Sequence, residues 1–254
     1  NGVTPGSGGG GGSTNGGAGG NGASGIAILS GTVRTGGGSL TITSGSGKVT
    51  MSGASINLSS LEVKSSSTSS VISSVVGGYT ALTLTSPLTT GVLTLSANNS
   101  YTGMTTLNSG YLYITSETNI NNGLGGLTMA GGGLKAGADI TLNPVMSLTA
   151  LKTSVLFATG ATTITINSNI SGAGNLLIAN GATGTVVLGG ANTYTGSTTI
   201  YGKLTLANLN ALSTSAINIG TSGVLDIAGY SISNAITANS SGGVIRSSLS
   251  DGAI

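Results

Sequence analysis

The sequence predicts an all-β protein and, within that class, a β-solenoid. Three observations carry this. Short stretches of period-two alternation follow one another from Ile26 onward. The turns between them are made of Gly, Asn and Ser, which tolerate tight corners. One phrase is written twice, SANNSYTGMTTL around Tyr101 and GGANTYTGSTTI around Tyr194, 93 residues apart.

The elements come in order. Residues 1–25 hold Gly at 13 of 25 positions and read as a flexible linker or as a packed, subunit-contacting segment. From Ile26 the candidate strands are IAILSGTV, SLTITSG, KVTMSG, SINLSS, LEVKSS, ALTLTS and GVLTLSA, then YLYITS, GLTMAG, TTITIN, NLLIAN, TVVLGG, KLTLA, AINIG and VLDIAG. Leu93 with Leu95, Ile164 with Ile166, and Leu204 with Leu206 point to one face, and the Ser and Thr between them point to the other. Strands spaced this closely suit a sandwich or a solenoid. The monotony of the cycle, its turn chemistry and the repeat favour the solenoid, with coils of about 23 residues. No window shows helical periodicity. The nearest, 116–124 and 207–213, read as loops.

Composition narrows the function classes. Charged residues are 5% of 254, net charge is +2, and Cys, His and Trp are absent. The core must therefore be aliphatic, and the surface must be Ser, Thr, Asn and Gly. Such a surface resists association weakly, which favours life in an assembly or at a cell surface. Thiolate and imidazole metal sites are ruled out, and no cofactor is expected. The seven basic residues are scattered, so nucleic acid is not an expected partner. No apolar run is long enough for a membrane-spanning helix. The chain opens without an initiator Met and reads as a processed or partial chain, its secretion signal lying outside this sequence.

The repeated phrase, with ISGAGNLLIANGATGTVVL (170–188) before its second copy, resembles the autotransporter-associated β-strand repeat of bacterial passenger domains. The similarity covers about 70–120 and 168–230. It implies a right-handed parallel β-helix over 26–254, secreted and displayed outside the cell. The first copy departs from the pattern, because ISSVVGGYTALTLTS lacks the tidy Gly-x-Gly before its strand. Physically the phrase reads as a structural repeat corner formed by Asn99, Tyr101 and Gly103, and again by Asn192, Tyr194 and Gly196. Asn192 suits a left-handed or side-chain turn, Gly196 permits positive φ, and the Tyr ring packs across a neighbouring coil. A sugar-stacking role for the two Tyr is the lesser alternative.

Chemistry is scarce. The five acids, Glu62, Glu117, Asp139, Asp226 and Asp251, lie far apart in sequence, against the close carboxylate pair that glycoside hydrolysis uses. GSGGGGG (6–12) has no Lys after it and is not a phosphate loop. The expectation is an extracellular, non-catalytic structural or adhesive β-solenoid on a bacterial surface. Its partners would be copies of itself or host and cell-surface molecules. The alternative is a subunit of a self-assembling filament or sheath, joined through strand edges or the Gly-rich N-terminus. A carbohydrate-binding or carbohydrate-active β-helix is the weakest reading.

Overall fold

The computed structural model describes residues 27–30, 33–34, 38–53, 55–120, 125–180, 183–239 and 242–248. Both readings of the Gly-rich segment 1–25 fall outside these residues. By proximity the chain divides into two compact units, one up to Leu134 and one from Lys135. Each is a parallel β-solenoid, as the alternation and the turn chemistry predict.

In the first unit, one face stacks Ala27–Ser30, Val49–Ser52, Ser70–Ile72, Val92–Leu95 and Tyr111–Ile114. A second stacks Ser39–Gly45, Ser60–Ser65, Ala81–Thr85, Thr105–Leu107 and Leu127–Met129. A third is short and holds Val33–Arg34, Ile56–Asn57 and Val76–Gly77. Register is fixed by the hydrophobic rows. Leu61 pairs with Leu40 and Leu82, and Leu84 pairs with Val63 and Leu107. A slip by one residue would turn every Leu outward.

In the second unit, one face stacks Thr153–Ala158, Asn175–Ile178, Thr198–Ile200, Ile217–Ile219 and Ile236–Ala238. Another stacks Ile140–Leu142, Thr163–Ile166, Thr185–Leu188, Lys203–Leu206, Val224–Asp226 and Val244–Arg246. Met146–Leu148 pairs with Ile170–Gly172 on a third. Two inward rows run through this unit: Ile140, Ile164, Val186, Leu204, Leu225 and, beside it, Leu142, Ile166, Leu188, Leu206. All nine side chains are buried. The six alternating Leu and Ile singled out from sequence are among the buried core.

Coil length is less uniform than the sequence estimate. Steps run from 18 residues, Thr185 to Lys203, to 24, Ile140 to Ile164. The window 116–124 also departs from expectation. Glu117–Asn119 is a single 3-10 turn, with Ser116 as its N-cap and Asn119 reaching back to it. A reciprocal cap of this kind stabilises a turn too short to show periodicity.

The sparse charges serve local packing. Glu62 and Lys64 meet at 3.2 Å on the half-exposed face of one strand, a pair of little energetic weight. Asp139 accepts from the Thr163 N–H at 2.7 Å. Asp226 is buried and accepts from Ala228 N, Arg246 Nε, Ser248 N and Ser248 Oγ at 2.7–3.1 Å. Burial alone would raise its pKa, but the donors from Ser248, Ala228 and Arg246 together outweigh it and hold the carboxyl down to about 2.

Leu204 tests the register directly. It is fully buried between Val186 and Leu225. Leu204→Asp is expected to cost about 3 kcal/mol or more, because it removes a packed side chain and buries a charge. Thr165→Asp, on the outward side of the strand two coils before in the same sheet, should stay within about 1 kcal/mol. Urea unfolding of both variants checks the pair, and a reversed order would put Leu204 outside.

Candidate functional site

The two copies of the repeated phrase fold alike, each within its own unit. Neither copy forms a regular strand over its Asn-x-Tyr-Thr. Each is an extended segment laid along an edge strand of the coil before it. In the first copy, Ser100 N and Thr102 N donate to Val76 O and Gly78 O at 2.9 and 2.8 Å. In the second, Thr193 N and Thr195 N donate to Ile170 O and Gly172 O at 2.8 and 2.9 Å. Val76–Gly77 and Ile170–Gly172 are the last strands of their sheets, so the phrase covers an edge where regular pairing stops.

The buried Asn joins three levels of the stack. Asn99 Oδ1 accepts from Val76 N at 2.8 Å, below it. Its Nδ2 donates to Asn119 O at 2.6 Å, and its backbone N donates to Thr118 O at 2.7 Å, above it. Asn192 repeats the pattern. Its Oδ1 accepts from Ile170 N at 2.7 Å, its Nδ2 donates to Ala211 O at 2.5 Å, and its N donates to Asn210 O at 3.1 Å. Only a primary amide supplies an acceptor and a donor at this reach; Asp would lose the donor and leave a buried carbonyl facing a negative charge. The loops on top, 116–120 and 207–213, fall in the two windows that come nearest to helical pattern in the sequence.

The Tyr points inward. Tyr101 and Tyr194 are both fully buried, which removes any sugar-stacking role for them. Each hydroxyl reaches the Thr four residues on, Tyr101 to Thr105 at 2.7 Å and Tyr194 to Thr198 at 2.6 Å. These two Thr stand on inward rows, Thr105 between Leu82 and Leu127, Thr198 between Leu176 and Ile217. A hydroxyl in such a row needs a partner, and the Tyr provides it. In the second copy the chain continues from Thr198 to Ser215 at 3.1 Å and from Ser215 to Leu212 O at 2.9 Å. Thr105, Thr198 and Ser215 belong to the cluster but do not stand out in sequence. The four-residue spacing of Tyr and Thr in both copies is the signal that marks the first two.

The glycines act through close approach rather than through left-handed backbone. Neither Gly103 nor Gly196 has a φ in the positive range. A Cβ at Gly103 would strike the carbonyl of Thr80, and one at Gly196 the carbonyl of Gly174. The chain bends at both positions, hard against the coil before. Asn192 and Asn99 likewise keep negative φ and work through their amides. The coil carrying each phrase is short on one face. Leu93 steps 23 residues from Ser70 but 19 to Leu112, and Thr185 steps 22 from Thr163 but 18 to Lys203.

Burial raises the Tyr101 pKa to about 12, and the Thr105 hydrogen bond offsets only part of this. Tyr194 is raised by the same cause, against its bonds to Thr198 and Ser215. The arrangement carries no nucleophile–base pair and no group of three metal-ligating side chains occurs among the described residues. What it does is fasten coils. No helix among the described residues is long and apolar enough to cross a membrane.

The comparisons with known proteins agree with this geometry. The family profile described as passenger-associated-transport-repeat matches residues 90–114 and 177–202, the segments that hold the two phrases. An adhesin, the BmaC autotransporter of Brucella suis biovar 1 (strain 1330), is 33% identical over 136 residues, which is 54% of this chain and 4% of that protein. The chain thus spans a small fraction of the length of that curated relative. No solved structure matches. Over these two segments the chain is similar to the passenger-associated-transport-repeat family.

Two tests follow from the clusters. Asn192→Ala leaves Ile170 N–H and Ala211 C=O without partners and should cost about 2 kcal/mol or more. Gly196→Ala should cost about 1–3 kcal/mol, since the opposing atoms are backbone. Urea midpoints of both variants check this, and unchanged midpoints would make the phrase decorative. The second test is alkaline. The folded state holds the Tyr101 proton up to about pH 12, whereas the unfolded chain releases it near 10. Stability contributed by neutral Tyr101 is therefore complete below pH 10 and falls as pH rises toward 12. Tyr101→Phe should show a shallower loss of urea midpoint between pH 9 and 12 than the parent; an equal slope would refute the buried phenol.

Proposed function

We propose that this autotransporter-repeat solenoid is an extracellular, non-catalytic structural and adhesive element displayed on a bacterial surface. The observation that carries the proposal is the doubled cluster. Two copies of one passenger-type phrase fasten coil to coil with the same bonds. Each coil then positions the next, and the outward side chains are held at fixed spacing. The six residues Asn99, Tyr101, Gly103, Asn192, Tyr194 and Gly196 are in this reading architectural. The acids support it too: Glu62 with Thr85, Asp139 with Thr163 and Asp226 with Arg246 are engaged in contacts between coils. The relative's name, an adhesin, supports surface contact with host or neighbouring cells.

Self-assembly through strand edges is the second reading, favoured by a surface of Ser, Thr and Asn with a net charge of only +2, which resists association weakly. Unpaired strand edges template pairing with another chain.

Antibody raised against the purified chain decides the first reading on intact cells of the source bacterium. Surface labelling that protease shaving removes is expected. Labelling seen only after permeabilisation overturns it. Sedimentation of the same chain separates the two readings: a constant mass over rising concentration fits the displayed element, and growing polymers fit the subunit.

A further inference from the structure

The aromatic ring that faces solvent in the second repeat is Tyr201, not Tyr194. It stands at the bend directly after Ile200, the end of the strand whose inner face carries the buried cluster, and is 47% exposed. Its backbone N donates to Ile178 O, and the equivalents on the next two coils, Gly220 N and Asn239 N, donate to Ile200 O and Ile219 O at 2.8 Å. Tyr201, Gly220 and Asn239 therefore stack in one outward row. Thr199, Asn218 and Thr237 stack in the row beside it, in direct register. These six residues, together with Ile219 and Ala238, line a shallow groove of about 230 Å³.

Gly220 gives the groove its floor. A Cβ there would run into Cδ1 and Cε1 of Tyr201, so the ring rests on the bare backbone of the next coil. The ring lies against that backbone while the residue stays exposed. Val155, Phe157 and Leu177 also face outward on the earlier strands of this sheet, and Tyr201 is the aromatic ring of the face that stands beside the polar row of Thr199, Asn218 and Thr237.

The lining selects its ligand by what it offers. No lining residue carries a charge, so neither an anionic nor a cationic polymer finds a counter-ion. Thr and Asn side chains both donate and accept, as sugar hydroxyls do. A tyrosine face suits the C–H side of a pyranose ring, apolar on one surface and polar at the rim. Coils repeat at about 4.8 Å, so the polar groups recur along the stack as hydroxyls recur along a polysaccharide. We propose that this groove binds a neutral polysaccharide lying along the coils, with Tyr201 as the stacking platform and Thr199, Asn218 and Thr237 as the hydrogen-bonding row. The proposal deepens the adhesive reading and names its ligand class.

Native gel retardation in soluble neutral polysaccharides, a β-glucan, an α-mannan and a galactomannan, with alginate as the acidic comparison, tests it. At least one neutral polymer should retard the chain, and alginate should not. Tyr201→Ala should weaken that retardation tenfold or more with the circular dichroism unchanged. Asn218→Ala should weaken it as well, and Gly220→Val, which lifts the ring, should act like Tyr201→Ala. Tyr79→Ala, 87% exposed in the other unit, should leave it as it was. If Gly220→Val does not fold, Tyr201→Ala and Asn218→Ala decide. Retardation by no neutral polymer, by alginate alone, or equally in Tyr201→Ala overturns the proposal. Glycan binding without cell-surface labelling would sink surface display and keep the groove; labelling without glycan binding would do the reverse.

Discussion

Parallel backbone pairing between successive coils is the constraint on which everything else in each unit depends. Once a coil's N–H groups are committed to the carbonyls of the coils on either side, side chains at matching positions must stack in rows. A row can then be only one kind of surface. Inward rows such as Ile140, Ile164, Val186, Leu204 and Leu225 are aliphatic throughout. The Asn–Tyr phrase deals with the place where this rule fails. There the coil shortens by about four residues, regular pairing on the third side ends, and an edge strand would be left with open N–H groups. The buried Asn takes one of those groups and passes a bond on to the loop above, so the ladder continues through a side chain.

Much of this was legible in the sequence. Alternation located the inward Leu and Ile because burial on one face of a strand repeats every second residue. Gly, Asn and Ser located the turns. The doubled phrase marked both clusters, since buried Asn and Tyr need particular partners at particular spacing. Three things were not legible. Coil lengths from 18 to 24 residues cannot be read from turn composition, because a corner of two residues and one of five use the same residue types. The 3-10 turn at Glu117–Asn119 is too short for periodicity and depends on a reciprocal cap between Ser116 and Asn119. The expectation of positive φ at Gly196 does not hold, and Gly103 behaves as Gly196 does. Gly serves both positive φ and close approach, and only coordinates show that here the obstacle is the carbonyl of the coil beneath.

Low charge is a consequence of the same architecture. A charge placed on an inward row has no partner within reach, because its neighbours above and below are aliphatic. Asp226 shows what one buried carboxylate needs: four donors from Ala228, Arg246 and Ser248, gathered on the chain's later coils. Few positions can supply that, so outward surfaces rely on hydroxyls and amides. A surface of that kind meets other molecules mainly through hydrogen bonds and exposed rings rather than through long-range steering.

The repeat and the recognition surface therefore occupy opposite sides of the same strand. In Thr198–Thr199–Ile200–Tyr201, Thr198 and Ile200 are buried, with Thr198 bonded to Tyr194 and Ile200 stacked on Ile178 and Ile219. Thr199 and Tyr201 face out and contribute nothing to that packing. Changing an inward residue disturbs rows above and below it; changing an outward one alters a local patch and leaves the rows intact. A repeat profile built on the inward pattern consequently identifies architecture and is silent on partner. Partner choice in such a chain must be written in the outward positions between the buried ones, among them Tyr201, whose ring lies over Gly220.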